Sequence, residues 1–365
     1  MKVLISGGGT AGHINPAIAI GTCLQKMGAQ VMYVGSDGSL EQKLYGKTGC
    51  PFAQFSSKGL NRKNLFKNFE VLSTDFKAYI QIQKLIEEFK PDVGVSTGGY
   101  ISALCMYALK KKNIPFLIHE QNAYPGLTTK LLSRWAKKYA VAFREAVPHL
   151  KHPNRAVITG NPIRQEFLSV NRKTAREALG ISMDETVILS FGGSLGALRL
   201  NEAIAKLLPM AQQAKLTFIV GTGSRYHEQF LSQISTQIKQ DKNIRILQYI
   251  DNMPLYLAAC DVAITRAGAM TVSELCAIGK PSILIPSPNV TANHQDKNAQ
   301  ALVSAGAAVK IPETKLTPEH LYQTILDIVK NPTRMETMKQ NALKIAITDG
   351  DQRIASLVRE ITSKQ

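Results

Sequence analysis

The chain has 365 residues, 44% of them hydrophobic, 19% charged and 7% aromatic, which excludes a disordered tail or a low-complexity array. At roughly 100–200 residues per domain the length predicts two domains. Net charge is +17, and residues 1–160 hold 21 Lys and Arg against 9 Asp and Glu, so the N-terminal half carries +12 of it and is expected to meet a phosphate-bearing substrate or an anionic membrane surface.

The aromatic and basic residues do not interleave as single-stranded nucleic acid would require, so no nucleic-acid partner is expected. Five scattered cysteines, Cys23, Cys50, Cys105, Cys260 and Cys276, show neither a disulfide framework nor metal-ligand spacing. A reducing compartment and no bound metal are the expectation. The sequence contains neither an apolar run of about 18 residues nor a signal-peptide pattern, which predicts a cytosolic-side protein that does not span a membrane.

In chain order, short β-branched runs alternate with helical segments, the pattern of βαβ units and parallel sheets. Strands are predicted near Val3–Ile5, Gln30–Val34, Val93–Thr97, Pro115–His119 and Ala156–Thr159. A second series follows Asn161-Pro162, at Thr186–Phe191, Leu216–Val220, Ile244–Leu247, Val262–Thr265 and Ser282–Ile285. The fold class is therefore α/β, with Rossmann-like domains at 1–161 and 162–349 facing a cleft. A last helix, within about 350–365, is expected to return to the first domain.

Three glycine or small-residue turns follow predicted strands. The first, Ser6-Gly7-Gly8-Gly9-Thr10-Ala11-Gly12-His13, precedes a helix expected to start at Asn15 as N-cap with Pro16 in its first turn. Its Gly7-x-Gly9-x-x-Gly12 spacing satisfies a dinucleotide fingerprint, with Asp37 as a possible ribose ligand, although a turn serving only strand–helix packing has the same spacing. The second, Gly192-Gly193-Ser194-Leu195-Gly196, opens another helix and suits a phosphate oxygen. The third runs Thr265-Arg266-Ala267-Gly268-Ala269-Met270-Thr271-Val272-Ser273-Glu274. Its N–H groups can hold a diphosphate, and Glu274, one turn into the helix, can accept both hydroxyls of a ribose; a plain dipole interaction is the alternative role for that carboxylate.

Gly8-Gly9-Thr10-Ala11-Gly12-His13, Gly98-Gly99-Tyr100, His119-Glu120-Gln121-Asn122, Gly160-Asn161-Pro162-Ile163-Arg164, Gly192–Ala197 and Arg266–Glu274 together resemble the MurG family of bacterial transferases. That family adds N-acetylglucosamine to undecaprenyl-diphospho-N-acetylmuramoyl-pentapeptide. The motifs span residues 8 to 298. The resemblance implies a GT-B fold, UDP-N-acetylglucosamine as donor, the lipid-linked muramoyl pentapeptide as acceptor, inversion at the anomeric carbon, no required cofactor, and a peripheral position on the anionic cytoplasmic face of the membrane. It further implies that the backbone at Ile250 reads uracil, that Ser194 and Ala269, Met270 and Thr271 hold the diphosphate with Val272 and Ser273 in the same segment, and that Gln295 contacts sugar hydroxyls. Thr10, Ala11, Gly12, Asn122 and Arg164 would line the donor-sugar and acceptor side. Ala11 departs from the glycine of many members, and His294 from a second glutamine.

An inverting displacement needs a base for the attacking hydroxyl, and His13, at the end of the first glycine turn, is the candidate. His119 and Glu120 are rivals for that role, or orient the loop that carries Asn122. Finally, Leu65, Phe69, Leu72, Phe76 and Ile80 recur at helical spacing beside Arg62, Lys63, Lys67 and Lys77. Such a stripe either docks on an anionic membrane or faces the core.

Overall fold

The computed structural model describes residues 1–37, 39–56 and 67–363, the side chains of Ser39, 67–72 and Thr291 excepted. The chain divides into two compact units, Met1–Ile163 with Ile347–Gln365, and Arg164–Ala346.

The first unit holds a seven-stranded parallel sheet of β1 (Lys2–Gly7), β2 (Gln30–Ser36), β3 (Phe52–Phe55), β4 (Val93–Gly98), β5 (Phe116–Glu120), β6 (Lys138–Val141) and β7 (Ala156–Ile158), in the order β3-β2-β1-β4-β5-β6-β7. Side chains alternate between two covered faces of the sheet, which explains why Val3, Leu4 and Ile5 of β1 are consecutive, apolar and buried. Val3 and Ile5 pack on one face with Ile14, Ile20 and Ile354, while Leu4 packs on the other with Ile101, Met106 and Phe116. The closing helix Gly350–Ser363 contributes Ile354, Ala355, Val358 and Ile361 to the first of these clusters.

The second unit repeats the scheme with β8 (Val187–Phe191), β9 (Thr217–Gly221), β10 (Ile244–Leu247), β11 (Val262–Thr265), β12 (Ser282–Leu284) and β13 (Ala308–Lys310), ordered β10-β9-β8-β11-β12-β13. Strand order reverses between β1 and β4 in one sheet and between β8 and β11 in the other. Ligands of open α/β sheets bind beyond the carboxyl ends of strands at such a switch point. All three turns singled out from the sequence leave strands that border one.

Three strands exceed the sequence expectation, each for a physical reason. β3 and β13 are edge strands of four and three residues, too short for a clear period. β6 opens on Lys138 within a basic segment that reads as surface. The first helix also differs: it begins at Ala11 with Thr10 as N-cap, so Asn15 and Pro16 lie inside it. Pro16 has no N–H to donate to the Gly12 carbonyl, and it is the preceding glycine-rich turn, not a capping side chain, that starts the helix.

Candidate active site

In the second unit, the chain leaves β11 through Arg266–Gly268 and enters the Ala269–Ala277 helix. Its N-cap is Gly268, which has no side chain to cap with, and the positive end of the helix dipole is presented there. Beside this helix end lies a cavity of about 200 Å³ lined by Arg164, Ser194, Ile250, Thr271 and Glu274, with Phe191, Gly193, Gly221, Gly223, Gln248, Tyr249, Asp251 and Met253. A larger cavity, of about 550 Å³, shares Gly193 and Ser194 with it and extends to Arg199, Arg266 and Gln295.

Glu274 is the unusual charge. Its side chain is only 14% exposed, and its counter-ion Arg164 stands 3.8 Å away and is 56% exposed. Burial pushes its carboxyl up to about 7, and the Arg164 guanidinium only partly opposes that. A desolvated carboxylate at a cavity wall gains from hydroxyl donors, and a vicinal diol supplies two.

Ile250 is buried, with its Cδ1 packed over Gly221. Gln295, second residue of the His294–Ser304 helix, accepts the Ser287 N–H at 2.8 Å through Oε1, which leaves its Nε2 to donate. Ala292 and Asn293 ahead of it are left-handed, at φ 52° and 53°, a conformation that costs energy in non-glycine residues and marks functional turns. Met270 and Ser273 are half-buried on the same helix as Glu274. Val272, between them, has a fully buried side chain, and its N–H donates to the Gly268 carbonyl at 3.0 Å. Arg266 is held by the Ile285 carbonyl at 3.1 Å and paired with Glu313.

In the first unit, Thr10, Ala11 and Gly12 are exposed at the start of the Ala11–Lys26 helix, and His13 follows half-buried. His13 Nδ1 lies 3.1 Å from the Gly8 carbonyl oxygen and 3.4 Å from Thr10 Oγ1. A carbonyl only accepts, so Nδ1 carries the hydrogen of this contact, and the neutral tautomer it selects is the one with the lone pair on Nε2, the form a general base needs.

The rivals lack that freedom. His119 is fully buried, with Nε2 3.4 Å from the Gly160 carbonyl and Nδ1 3.0 Å from Gln121 Nε2, and burial pushes it down to about 4. Glu120, 3% exposed, accepts the Asn122 N–H at 3.0 Å, Asn122 Nδ2 at 3.1 Å and the Gly126 N–H at 3.0 Å. Neither is placed to take a substrate proton; together they order the loop that presents Asn122.

Residues 3–141 match the profile of the glycosyltransferase family 28 N-terminal domain, and residues 187–354 that of its C-terminal domain. A curated protein of Acetivibrio thermocellus named UDP-N-acetylglucosamine--N-acetylmuramyl-(pentapeptide) pyrophosphoryl-undecaprenol N-acetylglucosamine transferase is 40% identical over 99% of this chain and 98% of its own. The protein of the same name from Halalkalibacterium halodurans is 39% identical over 99% of both chains. The chain belongs to this transferase family. Among solved structures, Acinetobacter baumannii MurG superposes with a TM-score of 0.77 at 27% identity, covering 98% of this chain and 99% of that one. A UDP-GlcNAc 2-epimerase from Neisseria meningitidis reaches a TM-score of 0.69 at 13% identity over 99% of this chain and 100% of its own, which speaks for the fold alone.

Membership in the transferase family sets aside the nicotinamide-dependent oxidoreductase that the first glycine turn alone allows. Asp37, which that reading needed as a ribose ligand, is exposed and accepts the Ser56 hydroxyl at 3.3 Å.

The sequence reading missed Gly221, Gly223 and the neighbours of Ile250, namely Gln248, Tyr249 and Asp251. Gly221-Thr222-Gly223, which begins on the last residue of β9, was the available signal. Gly223 and Gly196 meet backbone to backbone, both at positive φ, and a Cβ on Gly196 would stand 2.1 Å from the Thr222 carbonyl oxygen. Only glycine allows the two turns to close over the cavity's floor.

Leu65, Arg62 and Lys63 of the apolar stripe lie outside the described residues, as do the side chains of Phe69, Leu72 and Lys67. On the same helix, Lys67–Phe89, the buried face is formed by Asp75, Ala78, Ile82 and Ile86, while Phe76 is 64% and Ile80 39% exposed. The described part of the stripe therefore faces away from the core. Leu127 and Leu131 of the Leu127–Leu132 helix are also exposed. Among the described residues, no helix is long and apolar enough to cross a membrane.

Proposed function

We propose that this enzyme transfers N-acetylglucosamine from UDP-N-acetylglucosamine to the C4 hydroxyl of the muramoyl sugar of undecaprenyl-diphospho-N-acetylmuramoyl-pentapeptide, forming the disaccharide-linked lipid of peptidoglycan synthesis. The observation that carries the donor half is Glu274, a desolvated carboxylate in the first turns of the Ala269–Ala277 helix, in a cavity that also holds Ser194 and Ile250. The acceptor's identity rests on the near-full-length relatives, since the same fold hosts epimerases.

In this reading the uridine lies against Ile250 and its ribose hydroxyls donate to Glu274. The diphosphate meets Ser194 and the N–H groups of the turn through Ala269, Met270 and Thr271. Gln295 Nε2 donates to the sugar, and Arg164 balances charge near Glu274. Thr10, Ala11, Gly12 and Asn122 serve the acceptor side. His13 Nε2 takes the proton from the C4 hydroxyl as its oxygen attacks C1 opposite the departing UDP, so the anomeric centre inverts. Charge on the leaving diphosphate is stabilised by oriented N–H dipoles in place of a metal, a role in which one lost donor typically costs about 3–4 kcal/mol of barrier.

Such an acceptor is anchored in lipid. Phe76 and Ile80, with Lys77 and Lys84 on the same exposed helix and Leu127 and Leu131 with Lys130, supply apolar and basic groups for a peripheral position on the anionic cytoplasmic membrane surface.

The test is UDP release with a water-soluble analogue of the muramoyl-pentapeptide lipid, with and without EDTA. Release that requires the analogue, survives EDTA and yields a β-linked product supports this reading. UDP release or sugar epimerisation without acceptor contradicts the transferase assignment, loss of activity with EDTA contradicts the metal-free mechanism, and an α-linked product contradicts inversion.

A further inference from the structure

The Gly8–Gly9 peptide is engaged from both ends. Its N–H, on Gly9, donates to Glu41 Oε1 at 2.8 Å, and its carbonyl, on Gly8, lies 3.1 Å from His13 Nδ1. A trans peptide is planar, with N–H and C=O pointing in opposite directions. The chain Glu41 carboxylate, peptide, imidazole is therefore one line of hydrogen bonds running in one sense. Glu41 is only 4% exposed, on the Ser39–Tyr45 helix, and four residues on in the same helix the Tyr45 hydroxyl donates to the Gly7 carbonyl at 2.5 Å. One short helix thus grips both the donor and the acceptor side of the turn that leads to His13.

The surroundings leave that peptide little freedom. Gly9 sits at φ +83°, and a Cβ on Gly8 would stand 3.1 Å from Glu41 Oε1. A Cβ on Gly98 would come within 2.9 Å of His13 Nε2. The main chain at His13 is fixed as well, its carbonyl accepting the Thr97 hydroxyl at 2.8 Å.

We propose that Glu41 is a positioning residue that orients His13 through the Gly8–Gly9 peptide. The carboxylate polarises the peptide, which makes the Gly8 oxygen a stronger acceptor and holds the imidazole in the Nδ1–H tautomer with the Nε2 lone pair free. It has the part a buried aspartate has behind a catalytic histidine, with a peptide unit interposed. The same contact puts an internal anion on the Gly9 N–H, so this turn is not an open phosphate cradle despite its dinucleotide spacing. The inference about turnover rests on His13 being the base; the inference about the tautomer does not.

The test uses the full-length enzyme, Glu41→Ala and Glu41→Gln, each compared with wild type by nitrogen-15 NMR of the His13 ring at a pH where the ring is neutral. The wild-type ring should show the Nδ1–H tautomer. Glu41→Ala should show a mixture or the Nε2–H form, and Glu41→Gln, whose amide oxygen still accepts from Gly9, should retain most of the wild-type signature. Turnover should fall about 10- to 100-fold in Glu41→Ala and less in Glu41→Gln, with UDP-N-acetylglucosamine affinity and melting temperature near wild type. An unchanged tautomer in Glu41→Ala overturns the proposal, whatever the rate does. A changed tautomer in Glu41→Ala with full turnover keeps the relay and instead removes His13 as the base. If Glu41→Ala fails to fold, Glu41→Gln decides: a partial shift of the His13 signature away from the Nδ1–H form supports the carboxylate's role, and a signature identical to wild type overturns it.

Discussion

The turn after β1 and the turn after β11 occupy equivalent places in their sheets, each beside the point where strand order reverses, yet they are completed in opposite ways. In the first, the Gly9 N–H is already taken by Glu41, and the turn's carbonyl faces His13. In the second, the nearby carboxylate, Glu274, stands at a cavity wall with its counter-ion, the exposed Arg164, 3.8 Å away. The difference teaches that glycine spacing predicts a turn at a strand end but not what the turn binds. What decides is whether the protein supplies its own anion.

The largest effect that sharpens this comparison belongs to His13. Its replacement by Ala is expected to lower turnover about 10²–10⁴-fold, the range for loss of general-base help. Turnover within a few fold of wild type from pH 6 to 9 would break the assignment of proton removal to the first turn.

The second turn is tested by stability, because an unfilled site should hold Glu274 at a cost. Its folded-state carboxyl titrates near 7, above the ordinary 4.5, so between these values the folded protein holds more protons than the unfolded chain. The stability this group contributes is complete below 4.5 and is lost as pH rises through 7. Glu274→Gln, which carries no charge at any pH, is expected to be more stable than wild type at pH 8 by on the order of 1–3 kcal/mol, with the gap closing at pH 4.5. A chemical-denaturation midpoint for Glu274→Gln that does not differ from wild type at pH 8 would show that the carboxylate is not strained.

The smallest expected effect on fold is at the exposed helix of the first unit. Phe76→Asp should leave stability within about 0.5 kcal/mol, as surface substitutions do, while reducing co-sedimentation with anionic vesicles. Unfolding of this variant would mean that Phe76 packs against protein, and unaltered sedimentation would remove it from the membrane-facing surface.

Much of this was legible locally. Val3–Ile5 and Val262–Ile264 are buried on both faces, and their unbroken apolar runs announce it. Glu274 could be read because it lies within one turn of the peptides it accompanies. Three kinds of feature were not legible. β3 and β13 are edge strands too short for their pattern to stand out. Gly223 gains its role only by touching Gly196, 27 residues earlier. Glu41 reaches Gly9 across 32 residues, from a helix whose sequence reads as ordinary surface. His119 and Glu120 show the converse: strand-end position made them look reactive, and burial together with a full set of hydrogen bonds removes them.

The division of labour between the two turns is tested most directly by titrating UDP-N-acetylglucosamine into His13→Ala and Glu274→Ala by calorimetry. The account predicts that His13→Ala binds the donor as wild type does, whereas Glu274→Ala loses about 1–3 kcal/mol of binding, the value of a hydrogen-bonded charged partner. Wild-type donor affinity in Glu274→Ala, or an equal loss in His13→Ala, would contradict it.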